Sequence, residues 1–158
     1  MKTDSDLDTA VELETLPGHF IRRLQQIAVA IFLEETGEFG ITPVQFAVLQ
    51  TVRNKPQVDQ RTLAGAIGFD TSTTAGVIDR LEARGLLVRK ASPDDRRVRL
   101  LTLTAEGAQL LDAVLPAVQR TQERILAPLT ERQQAEFMKL LRTLVTANNE
   151  ASRAPTTG

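Results

Sequence analysis

The sequence predicts a mainly α-helical fold of about six helices in which a helix-turn-helix is followed by a single β-hairpin. Two short amphipathic segments within residues 59–104 end at Gly68 and at Gly85, as expected for two helices joined by a tight turn. Strand-like residues then flank a turn at residues 92–95, whose Ser-Pro-Asp-Asp sequence is rich in turn formers. This order of elements defines a winged helix-turn-helix, an architecture suited to double-stranded DNA.

Composition excludes several classes of protein. The chain has 158 residues, of which 42% are apolar, enough for one domain with a sizeable core. No apolar run approaches the ~18 residues of a membrane helix, and the acidic N-terminus lacks a signal peptide's apolar segment. We therefore expect a cytoplasmic protein without a membrane partner. The absence of cysteine and the single histidine argue against disulfides, thiol-based sensing and a zinc site, so no cofactor or metal is expected.

Residues that catalyse reactions are scarce. Nucleophilic catalysis needs a hydroxyl or thiol beside a base, and the chain has no cysteine and one histidine. Its four serines fall in tail, helix-start or turn positions, at Ser5, Ser72, Ser92 and Ser152. The sequence therefore predicts a binding protein without catalytic residues, and not an enzyme.

Charge is distributed unevenly along the chain. The net charge is −1, but residues 2–14 carry a net −4 and residues 84–99 a net +4. Counterion release depends on the contacting surface and not on total charge, so the basic stretch suits phosphate binding. A solvated charged hairpin is the alternative interpretation of these residues.

Towards both ends of the chain, the apolar spacing predicts helices with more apolar surface than one small domain can bury. We expect a disordered acidic tail at residues 1–14, a folded domain at 15–148 and a flexible tail at 149–158. Within the domain, helices at about 16–36 and 104–148 carry wide apolar stripes. A second copy of the chain would cover these stripes, so they predict a homodimer with a helical dimerisation region from both termini.

The remaining residues, about 42–103, form the expected DNA-binding lobe. The second helix of its helix-turn-helix begins near Asp70 with small hydroxylated residues, which are poor helix formers but can bond base edges and phosphates. The predicted DNA-binding residues of this helix are Ser72, Thr73, Thr74, Arg80 and Arg84. An overlong cap region would explain the same hydroxyl run, and Arg80 could instead pair with Asp79 or Glu82.

The hairpin also resembles that of a known family. Within residues 95–104, Asp95-x-Arg97 followed after five residues by Leu-Thr resembles the wing signature of the MarR family of bacterial transcription regulators. The Gly-Leu-Leu-x-Arg sequence at 85–89 resembles the family's exit from its recognition helix, and the similar element order spans roughly 16–148. The resemblance implies a homodimeric repressor, often released from DNA by a small molecule. The lack of cysteine excludes the family's cysteine-based peroxide sensors.

The same resemblance assigns roles within the hairpin. It implies that Asp95 holds the side chain of Arg97, which reaches into the minor groove of DNA. Narrow A·T-rich minor grooves concentrate negative potential and attract an inserted arginine, which is consistent with this role. Arg96 and Arg99 are expected on the flanks, against phosphate or solvent.

An effector site is predicted near the start of the first helix. His19, Arg22 and Arg23 lie within one turn of each other, where a carboxylate would also meet the positive end of the helix dipole. The expected aromatic walls are Phe20, Phe39, Phe46 and Phe69. The resemblance implies a small phenolic or aromatic acid, since MarR-family members commonly bind such ligands at this junction. Alternatively, the two arginines pair with the acidic tail or with the partner subunit.

A winged helix that contacts only other proteins, without a ligand response, is the alternative function. A salt-sensitive shift with duplex DNA distinguishes the two, because phosphate contacts release counterions.

Overall fold

The computed structural model describes residues 11–157, and its order of elements confirms the predicted winged-helix architecture. Within that range the chain forms six α-helices and three short strands. Their bounds in chain order are α1 Pro17–Thr36, α2 Pro43–Asn54, β1 Val58–Asp59, α3 Gln60–Ile67, α4 Thr71–Ala83, β2 Leu87–Ala91, β3 Arg99–Leu103, α5 Ala105–Leu126 and α6 Glu131–Ala147. Of the predicted disordered tail, residues 1–10 lie outside the described residues, whereas Leu13–Thr15 forms a short helical turn.

Side-chain caps fix where most of these helices begin. At α2 to α6, the residue before the helix accepts a hydrogen bond from the backbone N–H three residues later. The capping residues are Thr42, Asp59, Asp70, Thr104 and Thr130. Gln45 and Gln133 complete capping boxes with Thr42 and Thr130, as their spacing predicts. These local signals set the start of the helix-turn-helix and of the helices that follow it.

The wing has one strand more than the predicted hairpin. β2 and β3 pair antiparallel, with Arg89 opposite Leu101. β1 pairs with the other edge of β3, where Val58 lies opposite Leu101. A strand of two residues is too short to show the alternating pattern that identifies strands in a sequence. It joins the start of α3 to the wing, and so fixes the wing relative to the helix-turn-helix.

The main hydrophobic core lies under the helix-turn-helix and the sheet. Its fully buried side chains include Leu49, Leu63, Ile78, Leu81, Leu87, Leu101 and Leu111. A smaller cluster joins α1 to α5 and to the start of α2, and consists of Phe32, Ile41, Val114 and Val118. Phe46 packs against both clusters. The DNA-binding lobe is therefore packed against α1 and α5.

Ion pairs join the C-terminal end of α1 to α5. Arg120 Nε lies 2.9 Å from Glu35 Oε2, and Arg124 contacts both Glu35, at 2.8 Å, and Glu34, at 2.9 Å. The hydrogen bond from Arg120, followed by that from Arg124, lowers the pKa of Glu35. This carboxylate therefore remains charged, and the two helices are held by paired charge as well as by apolar packing.

The chain after α6 differs from the predicted flexible tail. Asn149–Ala151 forms a helical turn, and the backbone N–H of Thr157 donates a 3.1 Å hydrogen bond to the Gly65 carbonyl of α3. The polar composition of residues 149–158 suggested disorder, but the ordered return depends on contacts with α3, far away in the sequence. No helix within residues 11–157 is long and apolar enough to span a membrane.

Candidate nucleic-acid interface

The first turn of α4 presents hydroxyl groups to solvent. Asp70 caps the helix by accepting hydrogen bonds from the Thr73 backbone N–H at 2.8 Å and from the Thr73 hydroxyl at 2.7 Å. These bonds, the backbone one first, lower the pKa of Asp70. Thr71, Ser72 and Thr73 are all exposed. A helix N-terminus that carries exposed N–H and hydroxyl groups can meet both phosphates and base edges.

Thr74 does not belong to this exposed group. Its side chain is fully buried, and its Oγ1 donates a 2.8 Å hydrogen bond to the Asp70 carbonyl. Helical spacing puts Thr74 on the same face as Ile78 and Leu81, which point into the core. The prediction that Thr74 contacts DNA is therefore wrong, because its hydroxyl is used within the fold.

Arg80 in α4 and Arg84 directly after it differ in their surroundings. Arg84 donates from Nη1 to the Gly40 carbonyl at 2.8 Å and from Nη2 to the Phe39 carbonyl at 3.2 Å. The guanidinium therefore satisfies the carbonyls of the turn before α2, while the side chain stays exposed and its DNA contact stays a prediction. Arg80 is exposed, and among residues 11–157 it forms no ion pair with Asp79 or Glu82.

Those two acidic residues instead anchor the wing through Arg89. Arg89 Nη2 lies 2.6 Å from Asp79 Oδ1 and 3.2 Å from Glu82 Oε1, and Glu82 also accepts the backbone N–H of Arg89 at 2.9 Å. The hydrogen bond with Glu82 is the main cause of a raised pKa for Arg89 and of a lowered one for Glu82. One cation of the basic stretch is thus neutralised in fixing the wing to α4.

The tip of the wing is a hydrogen-bonded turn. Asp95 Oδ1 accepts the backbone N–H of Arg97 at 3.0 Å, and the Asp95 carbonyl accepts the N–H of Val98 at 2.9 Å. The family resemblance implied that Asp95 holds the side chain of Arg97. In the structure Asp95 holds the main chain of Arg97 instead. Arg96, Arg97 and Arg99 are exposed, and the described chain provides no ion-pair partner for them.

An open cleft lies between the wing and the starts of α3 and α4. It has a volume of about 550 Å³ and is lined by Asp59, Gln60, Arg61, Thr71, Arg97, Val98 and Arg99. Arg61 is absent from the predicted site, although it is exposed two residues after the cap of α3. Its position at a helix start was the available signal. The cleft brings three arginines beside the hydroxyl-bearing turn of α4, an arrangement that can receive a phosphate backbone.

The predicted effector residues are not brought into one pocket. His19 and Arg22 are adjacent, with Arg22 Nη2 3.3 Å from His19 Nδ1, and the His19 ring lies 5.6 Å from that of Phe20 in an edge-to-face arrangement. Arg23 and Phe20 line a groove between α1, α5 and α6.

The other aromatic candidates are elsewhere: the ring of Phe46 lies 6.3 Å from that of Phe32 in the core, and Phe69 lies beside the C-terminal return. Phe39 packs against the smaller core cluster. The predicted aromatic walls at Phe39, Phe46 and Phe69 are therefore wrong for a site at His19, because the first two pack against the smaller core cluster and Phe69 lies beside the C-terminal return.

The chain is similar to known transcriptional regulators over most of its length. Residues 41–98 match the model of the MarR family. The HTH-type transcriptional repressor NicR of Pseudomonas putida is 30% identical over 144 residues, covering 91% of this chain and 91% of NicR.

Two solved structures resemble the chain in fold as well as in sequence. One is the PcaV transcriptional regulator of Streptomyces coelicolor with its natural ligand, at 38% identity and a TM-score of 0.80, covering 87% of this chain and 97% of PcaV. The other is Bordetella bronchiseptica BpsR, whose DNA binding is regulated by 6-hydroxynicotinic acid. It is 31% identical, with a TM-score of 0.81 and coverage of 85% of this chain and 96% of BpsR.

These similarities agree with the winged helix, the exposed turn of α4 and the arginine-lined cleft. Members of the matched family are DNA-binding regulators, which confirms the prediction that the chain is not an enzyme. The chain belongs to the MarR family and is a DNA-binding transcriptional regulator.

Proposed function

We propose that this regulator is a homodimeric repressor that binds a pseudo-palindromic DNA site and is released by a small aromatic carboxylate. The observation that carries the DNA part is the cleft in which Arg61, Arg97 and Arg99 lie beside the first turn of α4. NicR is named as a repressor, and the match covers 91% of each sequence, which supports repression by this chain.

The α4 helix is proposed to enter the major groove by its N-terminal turn. Ser72 and Thr73 are exposed there, and their hydroxyl oxygens can donate to or accept from base edges. Arg80 lies further along the helix and is proposed to contact phosphate. In a dimer, two-fold symmetry would place the two α4 helices in successive major grooves, about 34 Å apart.

The wing is proposed to contact the adjacent minor groove and its rims. Arg97 is assigned to the minor groove, with Asp95 shaping the turn that presents it. Arg96, Arg99 and the newly found Arg61 are assigned to phosphates. These contacts would supply the salt-dependent part of the affinity, because each neutralised phosphate releases condensed counterions.

A second copy of the chain is the proposed occupant of the groove between α1, α5 and α6. The groove has a volume of about 770 Å³, and its lining is mainly apolar. Exposed apolar side chains continue along both terminal helices, with Phe20 56% and Leu144 54% exposed. In a two-fold symmetric dimer, the same apolar surface of each copy contacts that of the other. This explains why α1 and α6 both carry surplus apolar surface.

Sedimentation equilibrium at micromolar concentration tests the dimer. The wild type should sediment as a dimer, and Leu144→Asp should sediment as a monomer because it places a charge in the apolar groove. Val88→Asp is the matched control, since Val88 is an exposed apolar residue of the wing, outside the groove. A monomeric wild type would contradict the proposed dimer, and so would a dimeric Leu144→Asp variant.

The effector is proposed to bind at the first turn of α1. His19 and Arg22 already lie 3.3 Å apart there and can share one carboxylate, with the Phe20 ring beside them as an aromatic wall. The related BpsR has DNA binding that 6-hydroxynicotinic acid regulates, which supports an aromatic acid here. Arg23 is a second candidate, because it faces the groove and not the His19 side chain.

Release of a bound duplex by small aromatic acids tests this part. 6-Hydroxynicotinic acid and benzoic acid are the probes, and cyclohexanecarboxylic acid controls for the aromatic ring. His19→Ala and Arg22→Ala should bind the duplex normally but require more acid for release, whereas Arg132→Ala on exposed α6 should behave as the wild type. If Arg23→Ala alone loses the response, Arg23 binds the carboxylate and the His19–Arg22 pair does not. Normal release from all of these variants would contradict the proposed site.

A further inference from the structure

The C-terminal return connects α6 to the helix-turn-helix. The Asn149 side chain holds Thr156 through three hydrogen bonds: Nδ2 donates to the Thr156 carbonyl at 3.0 Å, and Oδ1 accepts its backbone N–H and its hydroxyl at 2.9 Å each. One side chain thus closes residues 149–156 into a loop. The loop directs the chain back from the end of α6 towards the DNA-binding lobe.

Two glycines of the helix-turn-helix form the seat for this return. The Gly65 carbonyl accepts the Thr157 N–H at 3.1 Å. A Cβ at Gly65 would overlap Thr157 Oγ1, and a Cβ at Gly68 would lie 3.1 Å from Thr156 Cγ2. Gly68 has a φ of +70° and is required by the turn, but Gly65 lies inside α3, where alanine would favour the helix. The seated return gives a reason for Gly65 that the helix itself does not.

The return leaves the proposed DNA-contacting surface open. An open hollow of about 360 Å³ is lined by Ala154 and Thr157 of the return and by Arg61 and Thr71 of the helix-turn-helix. Thr71 and its neighbours in the first turn of α4 remain exposed with the return in place. The return therefore lies beside the proposed DNA-contacting surface without covering the first turn of α4.

The return also connects the C-terminal end of α6 to α3. None of the 17 residues of α6 is buried, so the helix extends for about 25 Å between its two ends without entering the core. At its start, Gln134 Nε2 donates to the Leu126 and Leu129 carbonyls at 3.1 Å. At its far end, the contact with α3 ties the helix to the DNA-binding lobe.

We propose that residues 149–157 are a strap that holds the DNA-binding lobe in a fixed orientation relative to α6, and that this orientation favours DNA binding. The proposal rests on the proposed function, because α6 is assigned there to the dimer interface. A restrained lobe fixes the spacing of the two α4 helices in a dimer. An unseated strap lets the lobe sample orientations that do not match successive grooves. The apparent affinity is then reduced in proportion to the fraction of time that the lobe spends in the matching orientation.

A substitution and its rescue test the strap in the full-length chain. Gly65→Ala should unseat the strap, because the new Cβ occupies the position of Thr157 Oγ1. Adding Thr157→Ala removes that oxygen and leaves the two Cβ atoms at an ordinary contact distance of 3.5 Å, so the double variant should reseat the strap. Gly37→Ala at the C-terminal end of α1 is the matched control, since a Cβ there meets nothing within 4 Å and the backbone is right-handed helical.

Two readouts are measured on each variant. Backbone dynamics and hydrogen exchange of the Thr156 and Thr157 amides report the seat without any DNA. Affinity is measured for a duplex selected from a randomised pool by the wild-type protein. Gly65→Ala should mobilise both amides and weaken binding about threefold to tenfold, the scale of one net hydrogen bond. The double variant and Gly37→Ala should match the wild type in both readouts.

Each other result contradicts the strap in a defined way. Mobile Thr156 and Thr157 amides in the wild type would overturn the seat. Mobilised amides with unchanged duplex affinity in Gly65→Ala would overturn the coupling to DNA binding. Weakened affinity that Thr157→Ala fails to restore would place the effect in α3 itself and overturn the strap. Failure of the proposed function appears differently, as a wild type that selects no duplex while its Thr157 amide is still protected.

Discussion

The Asp95 carboxylate accepts the backbone N–H of Arg97 at 3.0 Å. This hydrogen bond shapes the wing tip and leaves the Arg97 guanidinium without an ion pair among the described residues. The aspartate therefore positions the arginine by fixing the main chain on which it is carried. Asparagine has the same carbonyl oxygen, so Asp95→Asn should retain the turn, whereas Asp95→Ala should lose it.

Arg97→Ala should weaken binding to the selected duplex by about 1–3 kcal/mol, the range expected for a good arginine contact. The loss should be largest when the flanks are A·T-rich, because a narrow minor groove strengthens the attraction for an inserted arginine. Affinities measured on duplexes that differ only in their flanks check this, with Arg132→Ala as the control. An equal loss on every flank would make Arg97 a phosphate contact.

Thr74 and Ser72 should behave differently although both are small hydroxylated residues in one turn. Thr74→Val removes the buried hydrogen bond to the Asp70 carbonyl, so the free energy of unfolding should fall by about 0.5–1.5 kcal/mol with sequence preference unchanged. Ser72→Ala, at an exposed position, should change sequence preference with little effect on stability. Chemical denaturation and duplex selection measure the two effects. A changed preference in Thr74→Val would contradict its structural role.

Arg80 and Arg84 should be separated by the salt dependence of DNA binding. Arg80→Ala should reduce the slope of log affinity against log salt by about 1, as expected on losing one phosphate contact. Arg84→Ala should leave that slope unchanged but lower the thermal midpoint, because the Phe39 and Gly40 carbonyls lose their donors. A slope change in Arg84→Ala without any loss of stability would identify it as a DNA contact.

Acid unfolding should reflect the aspartate caps of the helix-turn-helix. The hydrogen bond from the Thr62 hydroxyl lowers the pKa of Asp59, and that from the Thr73 N–H lowers the pKa of Asp70. A carboxyl with a pKa lower in the folded than in the unfolded state contributes stability above its unfolded pKa, about 3.9, and loses it as pH falls through the folded value.

The free energy of unfolding should therefore fall as pH drops below about 4. The double variant Asp59→Asn with Asp70→Asn should flatten this dependence in part, since asparagine also caps helices and Glu35 and Glu82 still contribute in the same direction. Chemical denaturation at a series of pH values provides the measurement. An unchanged acid dependence in the double variant would show that the caps do not titrate with unfolding.

The elements that depend on local signals were predictable from the sequence. Thr42, Thr104 and Thr130 cap helices at the positions where their spacing to Gln or to an apolar stripe indicated a start. Gly68 ends α3 with a positive φ of +70°, as expected for a helix followed by a tight turn. Each of these features is decided within a few residues of the chain.

The features that the sequence did not predict depend on distant contacts. Arg84 differs from Arg80 because it reaches carbonyls more than 40 residues earlier in the chain, with a separation of 44 from Gly40. The strap depends on a glycine in α3, and the two-residue strand β1 is recognisable only by its pairing with β3. For Thr74, in contrast, the helical period places it with Ile78 and Leu81, so its burial could have been read from the sequence.

The decisive experiment for a dimeric DNA-binding regulator is the selection of duplexes from a randomised pool by the wild-type protein. Affinity is then measured on the intact selected site and on an isolated half-site. We predict two inverted half-sites with centres about 34 Å apart, bound by one dimer. The logarithm of the affinity should fall linearly with the logarithm of the salt concentration. The isolated half-site should bind much more weakly. Enrichment of a single half-site bound by a monomer, or no enrichment at all, would contradict binding of a pseudo-palindromic site by a homodimer.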